Sequence, residues 1–283
     1  MSQPRITIIG AGRMGQGLGL ALKRRGYKVI LVNRAQREVI PPLVLHQGSL
    51  AEATDGAELV LIATPDDAIP QVAADLASAR AISRDQVVLH LSGLLDKSAL
   101  SPLGETGAGL GSFHPVQSVA EPATAAERLK GAYVGIEGDE RAVVAAERLA
   151  NTLRMLPVTI SAESKPAYHA GAAFVANYTV ALVGVAERLA RSAGVPPETA
   201  ARLYLPLLAG AVANLTSLGP AAALTGAVRR GDVHTIQSHL GALGPEDREL
   251  YRTVGRAAVL LAREAGLNDV SIDKVNEVLD GAV

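Results

Sequence analysis

Apolar and polar positions follow two alternating periods along the first 160 residues. Short apolar runs rich in β-branched residues are typical of strands buried on both faces, and stretches with apolar residues at helical spacing lie between most of them. This alternation predicts an α/β fold with a doubly wound parallel sheet and helices on both faces. The predicted strands cover residues 5–9, 28–32, 59–63, 87–91, 109–113, 133–136 and 156–160.

The strand signal ends near residue 162, and the remainder is predicted to be all helical. A long helix covers residues 164–193, and its stretch 170–187 is apolar on all sides, so other helices or a second subunit should bury it. The sequence therefore predicts two domains, residues 1–161 and 162–283, and a homodimer formed through the helical domain. Further helices are predicted over 198–216, 231–243, 246–265 and 270–279.

A glycine-rich turn joins the first strand to the first helix. Gly10 permits the tight turn, Gly12 lets the backbone approach a pyrophosphate, and Gly15 allows close packing of helix on strand. The helix N-terminus offers free amides and a positive dipole end to phosphates. The motif predicts a Rossmann-type dinucleotide site; the alternative is a glycine-rich turn in a sheet without a ligand. The predicted cofactor-binding segment is Gly10, Ala11, Gly12, Arg13, Met14 and Gly15.

The residues after the second strand predict which dinucleotide is bound. NAD-selective sites place an acidic residue there for the ribose 2′-hydroxyl, whereas this chain has Asn33 and Arg34, with Arg37 one turn further on. An amide and a guanidinium suit a 2′-phosphate, so NADP is predicted ahead of NAD. A solvated basic loop without selectivity is the alternative.

Polar residues also follow the third strand. Thr64 and Pro65 stand at its carboxyl end, over the expected cofactor crevice, and Thr64 is predicted to line the ribose site. Asp66 fits best as the N-cap of the next helix.

Two further strand ends carry candidate catalytic groups. Ser92 and His114 should open on the same edge of the sheet, beside the nicotinamide. A histidine and a hydroxyl near a reacting C–OH group suit proton transfer, because imidazole titrates close to neutrality. The alternative for His114 is a structural role in the turn before Pro115. His90 is predicted to pack beneath the sheet.

The long helix carries a stripe of polar residues. Lys165, His169 and Asn177 are separated by four and eight positions and fall on one slowly turning face. Polar groups on an otherwise apolar helix need buried partners or a ligand, which makes the three substrate-site candidates. Lys165 has the alternative of lying in water at the domain junction.

Composition narrows the range of functions. Lys and Arg number 27 against 28 Asp and Glu, so no global charge favours nucleic acid. The chain has no cysteine, which excludes disulfides and thiolate chemistry, and no metal is predicted. The first strand starts too early to leave room for a signal peptide, and charge is expected to interrupt apolar stretches before the ~20 residues of a membrane span. A cytoplasmic protein that does not bind membranes is expected.

The motifs together resemble the bacterial Rossmann-like proteins whose C-terminal half is the domain of unknown function 2520. The resemblance rests on the glycine turn, the segment GSFHPVQS at 111–118, Tyr168 and His169 with Asn177, and the turns 224–226 and 230–232. The family commonly has proline where this chain has Ala227.

More distantly, the architecture is similar to the 6-phosphogluconate dehydrogenase-like superfamily, which includes ketopantoate reductase, pyrroline-5-carboxylate reductase and prephenate dehydrogenase. In prephenate dehydrogenases a similarly placed serine and His-Pro pair serve the substrate, and the histidine handles the hydroxyl proton. This resemblance implies that role for Ser92 and His114. Other members use a helical Lys-x-x-x-Asn pair, whereas here the fourth residue after Lys165 is His169.

The sequence thus predicts an NADP-dependent oxidoreductase acting on a small oxo or hydroxy acid, or an imine. Hydride would pass between the nicotinamide and the substrate, with His114 and Ser92 managing the oxygen's proton. His169 and Asn177 would bind the substrate, and Lys165 would assist electrostatically. The alternatives are a non-catalytic nucleotide-binding sensor or interaction protein, and an oxidoreductase that uses the deazaflavin F420.

Overall fold

The computed structural model describes residues 4–281. Seven strands and helices α1 to α5 come first, and only helices follow Thr159. The strands are β1 Arg5–Ile9, β2 Lys28–Val32, β3 Leu59–Ile62, β4 Val87–His90, β5 Gly109–Pro115, β6 Tyr133–Gly138 and β7 Leu156–Thr159. The helices are α1 Arg13–Lys23, α2 Leu50–Thr54, α3 Ile69–Ser78, α4 Ala125–Leu129, α5 Glu140–Leu153, α6 Lys165–Ala173, α7 Thr179–Ser192, α8 Pro197–Leu203, α9 Leu205–Leu218, α10 Pro220–Ala223, α11 Gly226–Arg230, α12 Val233–Ala242, α13 Pro245–Glu264 and α14 Asp269–Asp280.

The strands form one sheet in the order β2-β1-β3-β4-β5-β6-β7. Because β1 lies between β2 and β3, the chain winds outward from it in both directions, which confirms the doubly wound α/β prediction. The carboxyl ends of β1, β3, β4 and β5 therefore share one edge.

Strand β6 departs from the predicted all-parallel arrangement. It runs antiparallel to β5, with Pro115 beside Val134. The link between the two strands holds only short helical turns and returns on the edge where β5 ends, whereas a parallel connection must cross to the opposite edge. Strand β7 is again parallel to β6, with α5 as the crossover.

The central strands of the sheet are buried on both faces, whereas β7 at its edge is exposed. Along β3, Leu59 and Leu61 belong to one apolar cluster, and Val60 and Ile62 belong to the other. This two-sided burial explains why the strands are continuous apolar runs rather than alternating ones.

The chain divides into two compact units, one up to Tyr178 and one from Thr179 onward. The sequence predicts the boundary after residue 161. The first unit takes in α6 as well, because side chains of that helix hydrogen-bond to groups at the sheet edge.

The second unit has its own small core, built on Ile236, Val259, Ile272 and Val275. The helix predicted over 198–216 is interrupted at Tyr204, because Pro206 enters the first turn of α9 and supplies no backbone N–H. Within this unit α9 has no buried residue, and α7 buries only Ala190.

Residues 162–192 are helical but not uniformly α-helical. The turn Phe174–Tyr178 is a π-helix between α6 and α7. Among the described residues, this segment alone has the length and composition of a membrane span, with a mean hydropathy of 1.4. The prediction that charge interrupts every apolar stretch is wrong here, because residues 166–186 contain no Asp, Glu, Lys or Arg. None of the residues in the most apolar window of this segment is buried within the described chain.

Candidate functional site

The glycine turn has the geometry that close approach of a ligand requires. Gly10 has a φ of +116°, and a Cβ there would lie 2.5 Å from the Ala63 carbonyl oxygen. A Cβ on Gly15 would overlap the Gly10 carbonyl oxygen, whereas one on Gly12 would meet no atom within 4 Å. Gly10 and Gly15 thus close the turn on itself, and Gly12 leaves its outer side open.

The start of α1 is free to bind an anion. Gly12 is the N-cap and makes no side-chain cap hydrogen bond, so the first amides of the helix point outward uncapped. Arg13 is exposed on this first turn, and Met14 packs against the core beneath it.

Asn33 and Arg34 differ in their availability. The Asn33 side chain accepts a hydrogen bond from the Ala11 amide (3.1 Å) and donates one to the Ala35 carbonyl (2.7 Å). It therefore braces the glycine turn. Arg34 is exposed, and among residues 4–281 it makes no hydrogen bond or ion pair. Of the two, Arg34 is the one free to meet a phosphate.

Thr64 borders the glycine turn, because its backbone nitrogen is one of the nearest atoms to a Cβ built on Gly10. Its hydroxyl is buried and has no hydrogen-bond partner within the described chain. A buried hydroxyl without a partner is costly unless a ligand satisfies it. Thr64 and the neighbouring Pro65 therefore fit the predicted wall of a nucleotide site.

Ser92 lies at the predicted edge, but its hydroxyl is fully used. It donates to the Asp66 carboxylate (2.7 Å) and accepts from the amides of Leu94 and Leu95 (3.1 and 2.9 Å). Because a hydroxyl has one donor and two acceptor sites, none is left for a substrate. The N-cap prediction for Asp66 is wrong: its side chain caps no helix and instead holds the Ser92 loop.

His114 stands at the end of β5 in a cluster with two residues of α6. Its Nδ1 lies 2.8 Å from the Tyr168 hydroxyl, and its ring packs edge-on against that of His169, with centroids 5.5 Å apart. Burial, and then the nearby His169 and Lys165, lower the pKa of His114 to about 4. The imidazole is consequently neutral at pH 7.

Both imidazoles lie over Gly93. A Cβ on Gly93 would be 2.9 Å from His114 Nε2 and 2.5 Å from His169 Nδ1, so only glycine fits beneath the pair. His169 Nδ1 is buried without a hydrogen-bond partner among the described residues. Two ring nitrogens thus converge where the protein provides no partner for one of them.

Lys165 is buried and faces the sheet. Its ammonium donates to the Ser112 hydroxyl (2.7 Å) and the Ser92 carbonyl (3.3 Å), and it is 1 % exposed. Burial lowers the pKa of Lys165 and raises that of Glu137, while the opposite charges of the two groups partly offset both shifts. Lys165 therefore anchors the start of α6 at the sheet edge, where it carries Tyr168 and His169.

Asn177 lies in the π-helical turn and is exposed. In an α-helix, residues eight apart drift by about 80°, since each residue turns through about 100°. The i→i+5 pattern of a π turn winds less per residue and takes back part of that drift. The turn thus keeps Asn177 closer to the His169 face than the sequence predicts.

The structure brings His114, Ser92, Lys165 and His169 to one edge, with the glycine turn and Thr64 at the same edge. His90 is fully buried and hydrogen-bonded to the Asp96 carbonyl (3.0 Å), as predicted. The contact of Tyr168 with His114 was not predicted. The two residues are 54 positions apart, so no local sequence pattern predicts the contact. The one available indication was that Tyr168 is next to His169 in the sequence.

Two family models match the chain. A Rossmann-like domain covers residues 1–115, and Domain of unknown function (DUF2520) covers residues 132–258. The chain therefore carries both domains, which confirms the resemblance drawn from its motifs.

Solved structures share the fold over nearly the full length. A protein of Bacteroides fragilis, provisionally named an NADP oxidoreductase, is 21 % identical with a TM-score of 0.69, covering 93 % of this chain and 98 % of that one. An imine reductase of Myxococcus stipitatus in complex with NADP+ is 20 % identical with a TM-score of 0.62, covering 95 % and 98 %.

A curated relative matches a shorter stretch. Glycerol-3-phosphate dehydrogenase [NAD(P)+] of Listeria innocua is 30 % identical over 109 residues, which cover 32 % of this chain and 32 % of the relative. The chain thus spans about a third of that relative's length.

Proposed function

We propose that this protein is an NADP-dependent oxidoreductase that transfers hydride between the nicotinamide and a small oxo or hydroxy acid, or an imine. The observation that carries the proposal is the shared edge: a glycine turn open at Gly12 and two converging imidazoles at His114 and His169. The names of the relatives agree, since they are NAD(P)-dependent reductases or dehydrogenases.

Residues of the first unit would hold the cofactor. The open amides at Gly12 and Arg13 suit the pyrophosphate, the unpartnered Thr64 hydroxyl suits the ribose, and the free Arg34 guanidinium suits the 2′-phosphate. When bound, the cofactor supplies or accepts the hydride. The unsatisfied Thr64 oxygen and the space at Gly12 are what this group would fill.

The imidazoles would serve the substrate. His114 is neutral at pH 7 and hydrogen-bonds the reacting oxygen or nitrogen, and His169 Nδ1 supplies a second contact. Such groups accelerate a reaction mainly by positioning the substrate and stabilising charge that develops on it. Asn177 would add a substrate contact. Ser92 and Lys165 would act through the loops and helix that they hold.

The proposal is tested by NADPH consumption with a panel of 2-oxo acids such as ketopantoate and cyclic imines of the pyrroline type. Turnover on either class supports it, and His114→Ala should then lower kcat by about 10²-fold. Glu246→Ala, at an exposed position of the second unit, is the control and should leave kcat unchanged. NADPH binding without turnover on any of them would instead indicate a nucleotide sensor.

We also propose that the second unit forms a homodimer through α7 and α9. Leu207, Val212 and Leu218 on α9 are 72 %, 53 % and 57 % exposed, and Val180 on α7 is 73 % exposed. An apolar groove of about 740 Å³ also opens on the second unit, lined mainly by residues of α7, α12 and α13. Apolar surface of this extent marks an interface, and a second copy would bury it.

A further inference from the structure

The cluster at His114 contains a contact whose purpose the proposed function does not explain. Tyr168 packs edge-on against His114, with ring centroids 5.5 Å apart at 87°, and its hydroxyl lies 2.8 Å from Nδ1. Tyr168 reaches this position over Gly135 of β6, which pairs with His114 in the sheet. A Cβ on Gly135 would lie 2.5 Å from the hydroxyl, so the glycine makes room for it.

The direction of this hydrogen bond follows from the groups available. Burial raises the pKa of Tyr168, against a smaller opposite effect of a hydrogen bond from the Gly135 backbone, so the phenol keeps its proton. The half-buried O–H needs an acceptor, and among the described residues His114 Nδ1, 2.8 Å away, is the one within hydrogen-bond distance. With Tyr168 as the donor, Nδ1 is the acceptor and carries no hydrogen.

The opposite nitrogen is fixed as a result. A neutral imidazole has one N–H, so occupation of Nδ1 as an acceptor leaves the proton on Nε2. His114 Nε2 lies on the side of Gly93 that His169 Nδ1 also faces. The N–H of His114 is thus on the atom that lies, with His169 Nδ1, over Gly93.

We infer that Tyr168 is a positioning residue that holds His114 as the neutral Nε2–H tautomer, so that in the reducing direction His114 donates a hydrogen bond to the carbonyl oxygen or imine nitrogen that receives charge from the hydride. This inference rests on the proposed function for its substrate, but the tautomer itself is a property of the protein alone. A donor at this point suits an acceptor atom, such as the oxygen of a carbonyl group that gains negative charge as hydride arrives.

The second unit provides a matched control. His239 Nδ1 lies 2.9 Å from the Tyr251 hydroxyl, and the two rings are also edge-on, with centroids 5.7 Å apart. Tyr251→Phe removes the same hydrogen bond from a histidine of the second unit that lines the groove there and lies outside the His114 cluster. Any general effect of losing a tyrosine hydroxyl will appear in both variants.

The experiment uses full-length protein labelled with 15N-histidine and long-range proton–nitrogen correlation spectra at pH 7.5. The chain has six histidines, and loss of one set of signals in His114→Asn assigns His114. The expected wild-type pattern has the proton on Nε2. In Tyr168→Phe the signals of both ring nitrogens of His114 should shift towards those of a mixed tautomer, and Tyr251→Phe should leave them in place. Gly135→Ala, which displaces the hydroxyl, should reproduce the Tyr168→Phe pattern.

A wild-type proton on Nδ1, or His114 signals unchanged by Tyr168→Phe, would overturn the inference. With any substrate from the NADPH panel, Tyr168→Phe should lower kcat by about tenfold with KM changed less than twofold, because a misaligned donor affects the transition state more than binding. A tenfold fall in kcat/KM that comes from a higher KM, with kcat unchanged, would contradict the donor role. Absence of NADPH binding would contradict the proposed function, whereas the tautomer of His114 would still be determined by the spectra.

Discussion

The two units of the chain bury their apolar side chains to very different degrees. In the first unit every residue of β3 and β4 is buried, so both faces of these central strands are covered. In the second unit α9 is the most apolar of the longer helices by sequence and yet has no buried residue. The central strands of the first unit are thus covered within one chain, whereas α7 and α9 of the second unit display apolar surface, as do Phe174 and Val175 at the end of the first.

This difference separates two uses of apolar sequence. Apolar runs in the strands pack inside the chain and position polar groups at the sheet edge. Apolar residues of α7 and α9 stay exposed, as expected of an interface rather than a core. Some positions are equally exposed, or have equal free space around them, and still lie in different units. Substitutions at such matched positions should therefore differ in their effects on stability, cofactor binding and oligomeric state.

The largest effect is expected at the glycine turn. Gly15→Ala forces a Cβ into the Gly10 carbonyl, and we expect a loss of about 3 kcal/mol of unfolding free energy together with loss of NADPH binding. Gly12→Ala meets no atom within 4 Å, so it should keep the melting temperature and still weaken NADPH binding by at least about tenfold.

Gly241→Ala supplies the comparison from the second unit. It also has open space, lies within α12, and should stabilise the protein by about 0.5 kcal/mol without changing NADPH affinity. Thermal melts and fluorescence titrations measure both quantities. If Gly12→Ala bound NADPH as tightly as wild type, the turn would not be the pyrophosphate site.

The next effect concerns the exposed face of α9. Leu207→Glu places a charge at a position that is 72 % exposed in the chain, so it should spare the fold but dissociate the dimer. Light scattering should give about 58 kDa for wild type, twice the 29.2 kDa of one chain, and about 29 kDa for the variant. Val44→Glu in the first unit is equally exposed, at 70 %, and should stay dimeric. A wild-type mass equal to that of one chain would contradict the proposed dimer.

Acid should destabilise the first unit through its buried histidines. Burial lowers the pKa of His90 to about 4, against a smaller raising effect of its hydrogen bond to Asp96. Between pH 6.5 and 4 the unfolded chain binds a proton that folded His90 does not, so stability falls as the pH drops, by up to about 3 kcal/mol for this group.

Urea unfolding at pH 7 and pH 4.5 measures this loss. His90→Gln should show a smaller fall than wild type, and His234→Gln, at an exposed position of α12, should show the same fall. Identical falls in all three proteins would mean that His90 does not carry the pH dependence.

The smallest effect is expected at Arg34. Arg34→Ala should weaken NADPH binding by about tenfold and leave NADH binding unchanged, because the loss of one charge-assisted contact to the 2′-phosphate costs about 1.5 kcal/mol. Arg84→Ala, an exposed arginine before β4, should change neither affinity. If Arg34→Ala weakened NADPH and NADH binding equally, Arg34 would contact a part of the cofactor other than the 2′-phosphate.

Local pattern predicts much of this structure. The two-sided burial of the strands makes them readable as apolar runs, and the glycine spacing encodes a turn that the backbone confirms at Gly10 and Gly15. What the sequence does not predict depends on contacts between distant residues. The saturation of the Ser92 hydroxyl by Asp66, and the bond between Tyr168 and His114, join segments 26 and 54 residues apart. The reversal of β6 and the π turn before α7 likewise leave no periodicity that distinguishes them.

The most direct test of the central claim is equilibrium binding of NADPH and NADH to the wild-type protein. The change in nicotinamide fluorescence on binding measures both affinities. The account predicts saturable NADPH binding in the micromolar range, at least about tenfold tighter than NADH, and a weaker affinity in Gly12→Ala with an unchanged fold. Failure to bind either nucleotide at millimolar concentration would contradict it.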